Sequence, residues 1–406
     1  MPVIKTPATR EEFKSYYTLR YKVLREPWGH PKGTEKDDYE PISELVKVKN
    51  RKQLANWIWI IVGIIQSESC NLSKIANYLP METEAESRVT LVRRWLMNPQ
   101  VKVWKFYKKI LEYVLADWSS VEAFIILDGV MVYGDRWQIF RVSLQHGCRA
   151  IPLGWVVVSG KGLVKASRLK KMLEKVHNLL KKYFKSITFL ADAGFRGCDW
   201  ANLCEKLGWN YGIRVACNTY ITLPDERSDR LDVLVPQGCN RYFQNILLTQ
   251  EAKLKTNVSV TWTTDKNGQP EMVAVISKQI ACRARLREYA RRMSIEQSFR
   301  DDKSSGFDMA HIRLQHAERI NQLLLALAIA TIWCHELGEH VLAQGESARR
   351  QIDPGPTREL SLFQLGLRWL KRTLAVAAHL LPVFKIKLSN LKLKPVIIPV
   401  TQNSIV

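Results

Sequence analysis

The apolar positions of VEAFIILDG, from Val121 to Gly129, run almost unbroken, and WQIFRVSLQ, IPLGWVVVSG and SITFLADAGF repeat the pattern further along. Short apolar runs closed by turn residues predict strands buried in a sheet, with HGCRA turning the chain between the second and third. Lys161 to Lys185 separates the third run from the fourth and has helical spacing. Strand, strand, strand, helix, strand predicts an α/β fold. Before Val121 the pattern is helical, in Leu54 to Ile65, NLSKIANYLP, SRVTLVRRWLMNP and Val101 to Trp118. Asn71 or Ser73 is placed to cap the second of these, and Pro80 and Pro99 fall where helices stop. Trp209 to Ser277 reads mainly as β, through NYGIRV, Tyr242 to Leu248, VSVTWTT and MVAVIS, with Asp265-Lys266-Asn267-Gly268 as a hairpin turn. Helix returns at Arg283, continues in the apolar Ile320 to Cys334, and ends in a basic segment around SLFQLGLRWLKR before a KIKLSNLKLKPV tail.

Charge changes this picture. The 61 Lys and Arg outnumber the 39 Asp and Glu and leave a net charge of +22 on 406 residues. Such an excess points to a polyanionic partner, most simply nucleic acid. Lys161 to Lys185 alone carries nine Lys or Arg against Glu174, so its outer face is either solvated or laid against phosphates. The eight cysteines contain no C-x-x-C pair, which predicts reduced thiols and a cytoplasmic location over a disulfide framework or a zinc site. The apolar runs Leu54 to Ile65 and Leu323 to Cys334 are shorter than the roughly 20 residues of a membrane helix, so buried helices and no membrane partner are expected.

Carboxylates close two of the strands, Asp128 in ILDG and Asp192 in LADAGF. Strands so ordered, with acids at two ends, form a pattern of the ribonuclease H type. The expected fold is therefore α/β, a ribonuclease H-like core of mixed sheet flanked by helices, with a β-rich insertion and a helical N-terminal region. By residue, 1–43 is a segment unlike the rest, and 44–118 is helical, either a DNA-binding head or a layer on the core. The core takes 119–208 and 281–345, the insertion 209–280, and a basic helix and tail 346–406.

A third carboxylate stands in YARRMSIEQSFRDDK, Tyr289 to Lys303, which reads as one helix. At about 100° per residue, Tyr289, Arg292, Glu296 and Lys303 lie within about 60° of one another on a single face. Solvated pairing of Glu296 with Arg292 and Arg300 is the plain reading, worth about 0.2–0.5 kcal/mol. It leaves Tyr289 and Lys303 on that face unexplained. Asp128, Asp192 and Glu296 together are hard oxygen donors that suit Mg²⁺ or Mn²⁺, and a pair of such ions serves phosphodiester displacement. Arg292 and Lys303 are then placed to hold backbone phosphates, with Tyr289 stacking on one or donating to it.

Tyr289, Arg292, Glu296 and Lys303 match the Y-x(2)-R-x(3)-E-x(6)-K signature, and the chain resembles the insertion sequence 4 family of Asp-Asp-Glu transposases. ILDG, LADAGF, NLSKIANYLP, VSGKG and SLFQLG are similar to that family too. The resemblance implies Asp128, Asp192 and Glu296 as catalytic metal ligands and Tyr289, Arg292 and Lys303 as DNA-gripping residues. It also implies cut-and-paste transposition with Mg²⁺, and a homodimer assembled on double-stranded DNA, both transposon ends and target. A second resemblance covers SYYTLRYKVLREPWGHPKGTEKDD, which looks like the opening of a GNAT acetyltransferase; an amphipathic helix is predicted from Glu11 to Leu24. That family's Q/R-x-x-G-x-G/A turn is missing, so a gene-level fusion with a broken acetyltransferase start is the expected origin, and an ordinary N-terminal arm is the alternative. The alternative function is a catalytically silent DNA-binding remnant with a disrupted N-terminus.

Three features carry less. His335 and His340 in HELGEH are spaced by five, about 140° apart on a helix, which argues against a shared metal. Trp262 reads as core before it reads as a stacking residue for a displaced base. Asp135, Asp301 and Asp302 read as turn or surface acids.

Overall fold

Ten strands join one mixed sheet in the order β3-β2-β1-β4-β5-β10-β9-β8-β6-β7 in the computed structural model. It describes residues 51–376 apart from 117, 119–121, 163–165, 196–197 and 266. The acetyltransferase-like segment 1–43 and the KIKLSNLKLKPV tail lie outside the described residues. The sheet opens with β1 (Glu122–Val132), β2 (Trp137–His146) and β3 (Arg149–Ser159). Their apolar runs are buried on both faces, as central strands require. The β2–β3 turn is tight: His146 pairs with Arg149, and Gly147 between them takes φ 58°. Helix α5 (Ala166–Leu180) leads to β4 (Ser186–Ala191), and α6 (Cys198–Lys206) to β5 (Asn210–Val215). Strand β2 is antiparallel to β1 and β3, whereas β4 is parallel to β1 and β5 to β4. The order 3-2-1-4-5 with that polarity is the ribonuclease H-like arrangement.

The β region that follows extends the same sheet. Strands β6 (Tyr220–Thr222), β7 (Ser228–Arg230), β8 (Arg241–Leu248), β9 (Leu254–Thr264) and β10 (Pro270–Ser277) are all antiparallel, with the turn α7 (Leu231–Leu234) between β7 and β8. Between β9 and β10 the Gly268 amide donates to the Asp265 carbonyl at 3.1 Å, with Gly268 at φ 77°. Trp262 on β9 is partly buried against the core.

Helices α1 (Arg51–Ser67), α2 (Leu72–Ala76), α3 (Ala85–Trp95) and α4 (Val103–Val114) precede the sheet. Asn71 caps α2, its Oδ1 accepting from the Ser73 amide at 3.0 Å. Trp57 stacks on Trp95 with ring centroids 6.0 Å apart, and the apolar faces of α1 and α4 share one cluster with the sheet. After β10 come α8 (Arg283–Ala290), α9 (Met293–Arg300), α10 (Ala317–Ala343), α11 (Glu346–Arg350) and α12 (Leu362–Val376). By length and composition α10 is able to cross a membrane, yet 89% of its apolar stretch is buried within the fold. It is the central core helix.

Helices α10 and α12 cross with their backbones in contact. A Cβ on Gly338 would overlap the carbonyl of Leu362, and one on Gly366 the carbonyl of Cys334. Both atoms are backbone and neither can yield cheaply. Gly366→Ala should therefore lower stability by at least about 1–3 kcal/mol, the usual cost of overpacking, measured as a shift in the urea midpoint. An unchanged midpoint would show that the two helices slide apart freely.

His335 and His340 of α10 have separate surroundings. His340 is exposed and bonds Gln344 at 2.8 Å. His335 is buried, its Nδ1 2.8 Å from the Thr331 carbonyl, its Nε2 unpartnered, and its ring beside His146 and Phe363. Burial, reinforced by His146 and Arg149, pushes its imidazole down to about 3. The unfolded chain takes up a proton near pH 6.5 that folded His335 refuses. Its contribution is thus full above about pH 6.5 and is lost as pH falls toward the folded value. Urea midpoints taken from about pH 7 to about pH 4 should fall less steeply for His335→Leu than for the wild type. Parallel profiles would contradict this.

Candidate active site

Strands β1 and β4 pair in parallel up to Leu127 and Ala191, so Asp128 and Asp192 are the next residue on each strand. Neighbouring strands lie about 4.8 Å apart, which sets the two carboxylates side by side at the carboxyl edge. The sequence places Asp128 at the end of its strand, but β1 continues to Val132. Strand β2 goes on pairing with it there, Asp128 opposite Arg141 and Val132 opposite Trp137. Only the β4 side opens at Asp128. Its Oδ1 accepts from the Gly129 amide at 2.7 Å. Asp192 is followed at once by a 3₁₀ turn, Ala193–Phe195.

The single helix expected from Tyr289 to Lys303 is broken. It ends as α8 at Ala290, resumes as α9 at Met293, and widens into a π-helical turn over Asp301–Ser305. Arg291 and Arg292 keep helical dihedrals, so the first break is a small offset. The π turn abandons the 3.6-residue period, and Lys303 lies within it. Among the described residues no hydrogen bond or ion pair joins Lys303 to the acids.

The other five residues meet. Arg292 donates from Nη1 to Asp128 Oδ2 at 3.1 Å and from Nη2 to Glu296 Oε1 at 2.5 Å. The Tyr289 hydroxyl donates to Asp192 Oδ1 at 3.0 Å. Arg214 on β5 comes within 4.0 Å of the same oxygen. Arg292 itself is buried, and its Nε has no partner. Sequence reasoning missed Arg214; a lone arginine in the apolar strand NYGIRV was its only mark.

The two aspartates are pushed in opposite directions. Burial raises Asp128 and outweighs the pull of Arg292. Burial also works to raise Asp192, but Arg292, the Ala193 amide and the Tyr289 hydroxyl together hold it below the usual carboxylate range. Burial raises the Tyr289 phenol, with Arg292 opposing and Asp192 adding to the shift, so it stays protonated as a donor.

A second set of charges holds α9 against the sheet. The Ser298 hydroxyl accepts from the Ala150 amide at 2.8 Å, and Arg149 Nε donates to Asp301 Oδ2 at 2.5 Å. Asp302 pairs with Arg141, and both are buried. The Arg141 guanidinium also lies 4.3 Å from the centre of the Phe299 ring. Asp301 and Asp302, read from the sequence as turn or surface acids, are thus buried partners of strand arginines. The π turn swings both toward β2 and β3, which regular helical spacing does not foretell. Asp135 sits in the β1–β2 turn with φ 61°.

Asp128, Asp192 and Glu296 supply the hard oxygen donors that Mg²⁺ or Mn²⁺ prefers, so the donor set fits a divalent ion. Among the described residues no three acids, histidines or cysteines form a ready ion site, because Arg292 bridges Asp128 and Glu296.

Residues 165–333 match the family model described as transposase DDE domain. The chain carries a transposase DDE domain. The matched span includes Asp192, Tyr289, Arg292, Glu296 and Lys303, and Asp128 lies before it. No curated protein sequence matches the chain. Among solved structures it is similar to a piggyBac transposase synaptic complex with hairpin DNA, at 10% identity and a TM-score of 0.42, over 89% of this chain and 76% of that one. It is similar also to a Marinitoga piezophila Argonaute in complex with 5′ OH guide RNA and target DNA, at 10% identity and a TM-score of 0.21, over 62% of this chain and 34% of that one. Neither likeness bears on the chemistry of the DDE domain.

Asp302→Ala would leave Arg141 as an uncompensated charge beneath this domain's active edge. The expected loss is about 3–5 kcal/mol, read from urea unfolding, and Arg141→Met with Asp302→Leu should recover most of it. A single substitution costing under about 1 kcal/mol would mean that the pair is not buried.

Proposed function

We propose that this protein is a DNA transposase of the insertion sequence 4 type, cutting phosphodiesters at transposon ends and joining the released ends to target DNA. The observation that carries the reading is the placement of Asp128 and Asp192 side by side where two parallel strands separate, with Glu296 drawn to them through Arg292. DDE transposases use divalent metal ions, and we assign Mg²⁺ to Asp128, Asp192 and Glu296. An ion held there supplies activation of the attacking oxygen and charge neutralisation at the leaving one.

The remaining chemistry belongs to the chain. Arg292 and Tyr289 face the acids with their donors, and each can exchange a carboxylate oxygen for a phosphate oxygen of the bound strand. Lys303 adds a charge from within the π turn that follows α9. Water oxygen bonds to phosphorus as the bond to the 3′ oxygen breaks, and the leaving oxygen takes a proton to become the 3′ hydroxyl. That hydroxyl gives up its proton and bonds to a target phosphorus as the target's own bond to its 3′ oxygen breaks, the leaving oxygen taking a proton in the same in-line displacement. A homodimer on paired ends is the assembly this reading expects, and the acetyltransferase-like segment 1–43 is the relic of a gene fusion.

Arg292 between the acids favours a second reading, a DNA-binding remnant that no longer cuts. One assay separates the two. Purified protein with an end-containing duplex and Mg²⁺ should nick it, while Asp128→Asn and Glu296→Gln should each slow nicking by at least about 10²-fold, the scale of a lost metal ligand. End binding with no nicking selects the remnant. Equal nicking by all three proteins removes the assignment of the acids.

A further inference from the structure

We propose that the outer face of α4 and α5 is a binding surface for the phosphate backbone of duplex DNA, leading away from the carboxylate edge. Arg168, Lys171 and Lys175 recur at spacings of three and four on the exposed side of α5, and exposed Lys182 follows in the turn after it. Lys105, Lys108 and Lys109 occupy the same kind of row on α4. Three contacts set the rows side by side. Lys175 Nζ lies 6.0 Å from the centre of the Trp104 ring, Lys182 Nζ bonds Glu112 Oε1 at 3.0 Å, and the Tyr183 hydroxyl donates to the Glu112 carbonyl at 3.2 Å. The helices therefore run in the same direction, and their cations form one field.

Compensation within that field is slight. Glu112 is shared by Lys182, Lys108 and Lys109, the last two at 3.7 Å, and Glu174 on α5 pairs with Lys170 at 3.8 Å. Among the described residues no ion pair holds Arg168, Lys171 or Lys105. A merely solvated helix face commonly mixes both signs, whereas this one concentrates a single sign and pays for it in self-repulsion. A polyanion relieves that repulsion.

Position and length identify the polyanion's form. Strand β3 runs parallel to β1, since both are antiparallel to β2, so α5 starts from the sheet edge that holds Asp128 and Asp192. Arg168 begins the row near that edge and Lys182 ends it about 20 Å away, the rise of some fourteen helical residues. This matches about six phosphates along one strand of a duplex. The aromatic ring between the rows, Trp104, is partly buried, so no platform is offered for unstacked bases as a single-strand site requires. Nor do the exposed positions of the rows include the large apolar side chains that an interfacial membrane helix inserts.

The identity of the polyanion rests on the transposase reading; the surface itself does not. Full-length protein and the triple variant Lys105→Ala/Lys171→Ala/Lys175→Ala should be titrated by fluorescence anisotropy with a random-sequence duplex of about 25 base pairs at several salt concentrations, without divalent ions. Neutralising three phosphate contacts should lower the slope of log K against log salt by about 2–3 and weaken binding about tenfold or more at moderate salt. A slope within error of the wild type overturns the proposal. So does a variant that holds the duplex normally but loses oligo-dT or anionic phosphatidylserine vesicles. The milder Lys105→Gln/Lys171→Gln/Lys175→Gln set repeats the comparison if the alanine variant folds poorly. Nicking by the wild type is scored apart from binding, so a protein that never cuts removes the transposase reading while the slope comparison still decides the surface.

Discussion

The arrangement at the sheet edge depends on Arg292. Two parallel strands deliver Asp128 and Asp192 as neighbours, and α9 brings Glu296 toward them, so three negative groups share a half-buried place. Without a cation this is unfavourable twice over, by desolvation and by mutual repulsion. Arg292 answers both with one planar group, its two terminal nitrogens reaching Asp128 and Glu296 in a fork geometry that lysine lacks. Burial works against its charge, but Tyr289, Asp192, Glu296 and Asp128 outweigh burial and keep it protonated. Any metal ion entering the acids competes with a guanidinium already bonded to two of them.

A bridge of that kind needs a rigid frame, because a shift of about an ångström separates a bonded fork from a loose contact. The frame comes from strands β2 and β3. Arg141 faces Asp128 across the β1–β2 ladder and turns its charge to Asp302, while Arg149 holds Asp301. Glu296 therefore sits on a helix gripped at its C-terminal turn by two ion pairs and at its middle by Ser298. Behind this layer, α10 and α12 lie in backbone contact through Gly338 and Gly366. Packing at that crossing and ion pairing at the edge are parts of one support.

Much of this was legible because it is local. Apolar runs with turn residues at their ends marked β1 to β5, and the acids closing two of them gave Asp128 and Asp192 before any fold was known. Three features escaped for physical reasons. Strand β1 outlasts Asp128 because pairing with β2 continues on one side only, a fact about neighbours and not about its own residues. The π turn inserts a residue into the helical period without any Gly or Pro to announce it. The ion pairs of Arg141 with Asp302 and of Arg149 with Asp301 join residues more than a hundred positions apart, and such pairs leave no pattern in a window of sequence. Lone arginines inside apolar strands, at Arg141 and Arg214, were the nearest thing to a signal, since a charge is kept in a buried strand only when a partner meets it.

The charge surplus then takes on a structural meaning. Cations near the acids are consumed by them: Arg292, Arg214, Arg149 and Arg141 each meet a carboxylate and add nothing to the outer field. The net +22 of the chain must therefore be carried by surfaces remote from the acids or by residues beyond those described. Arginine dominates the first population and lysine the rows of α4 and α5. The division follows from hydration. A guanidinium is weakly hydrated and gives up water to a buried carboxylate at modest cost, whereas an ammonium keeps its water and works as a point charge at the surface. One chain thus uses its two cations for two tasks, arginine to hold an acidic edge in shape and lysine to present an uncompensated field to solvent.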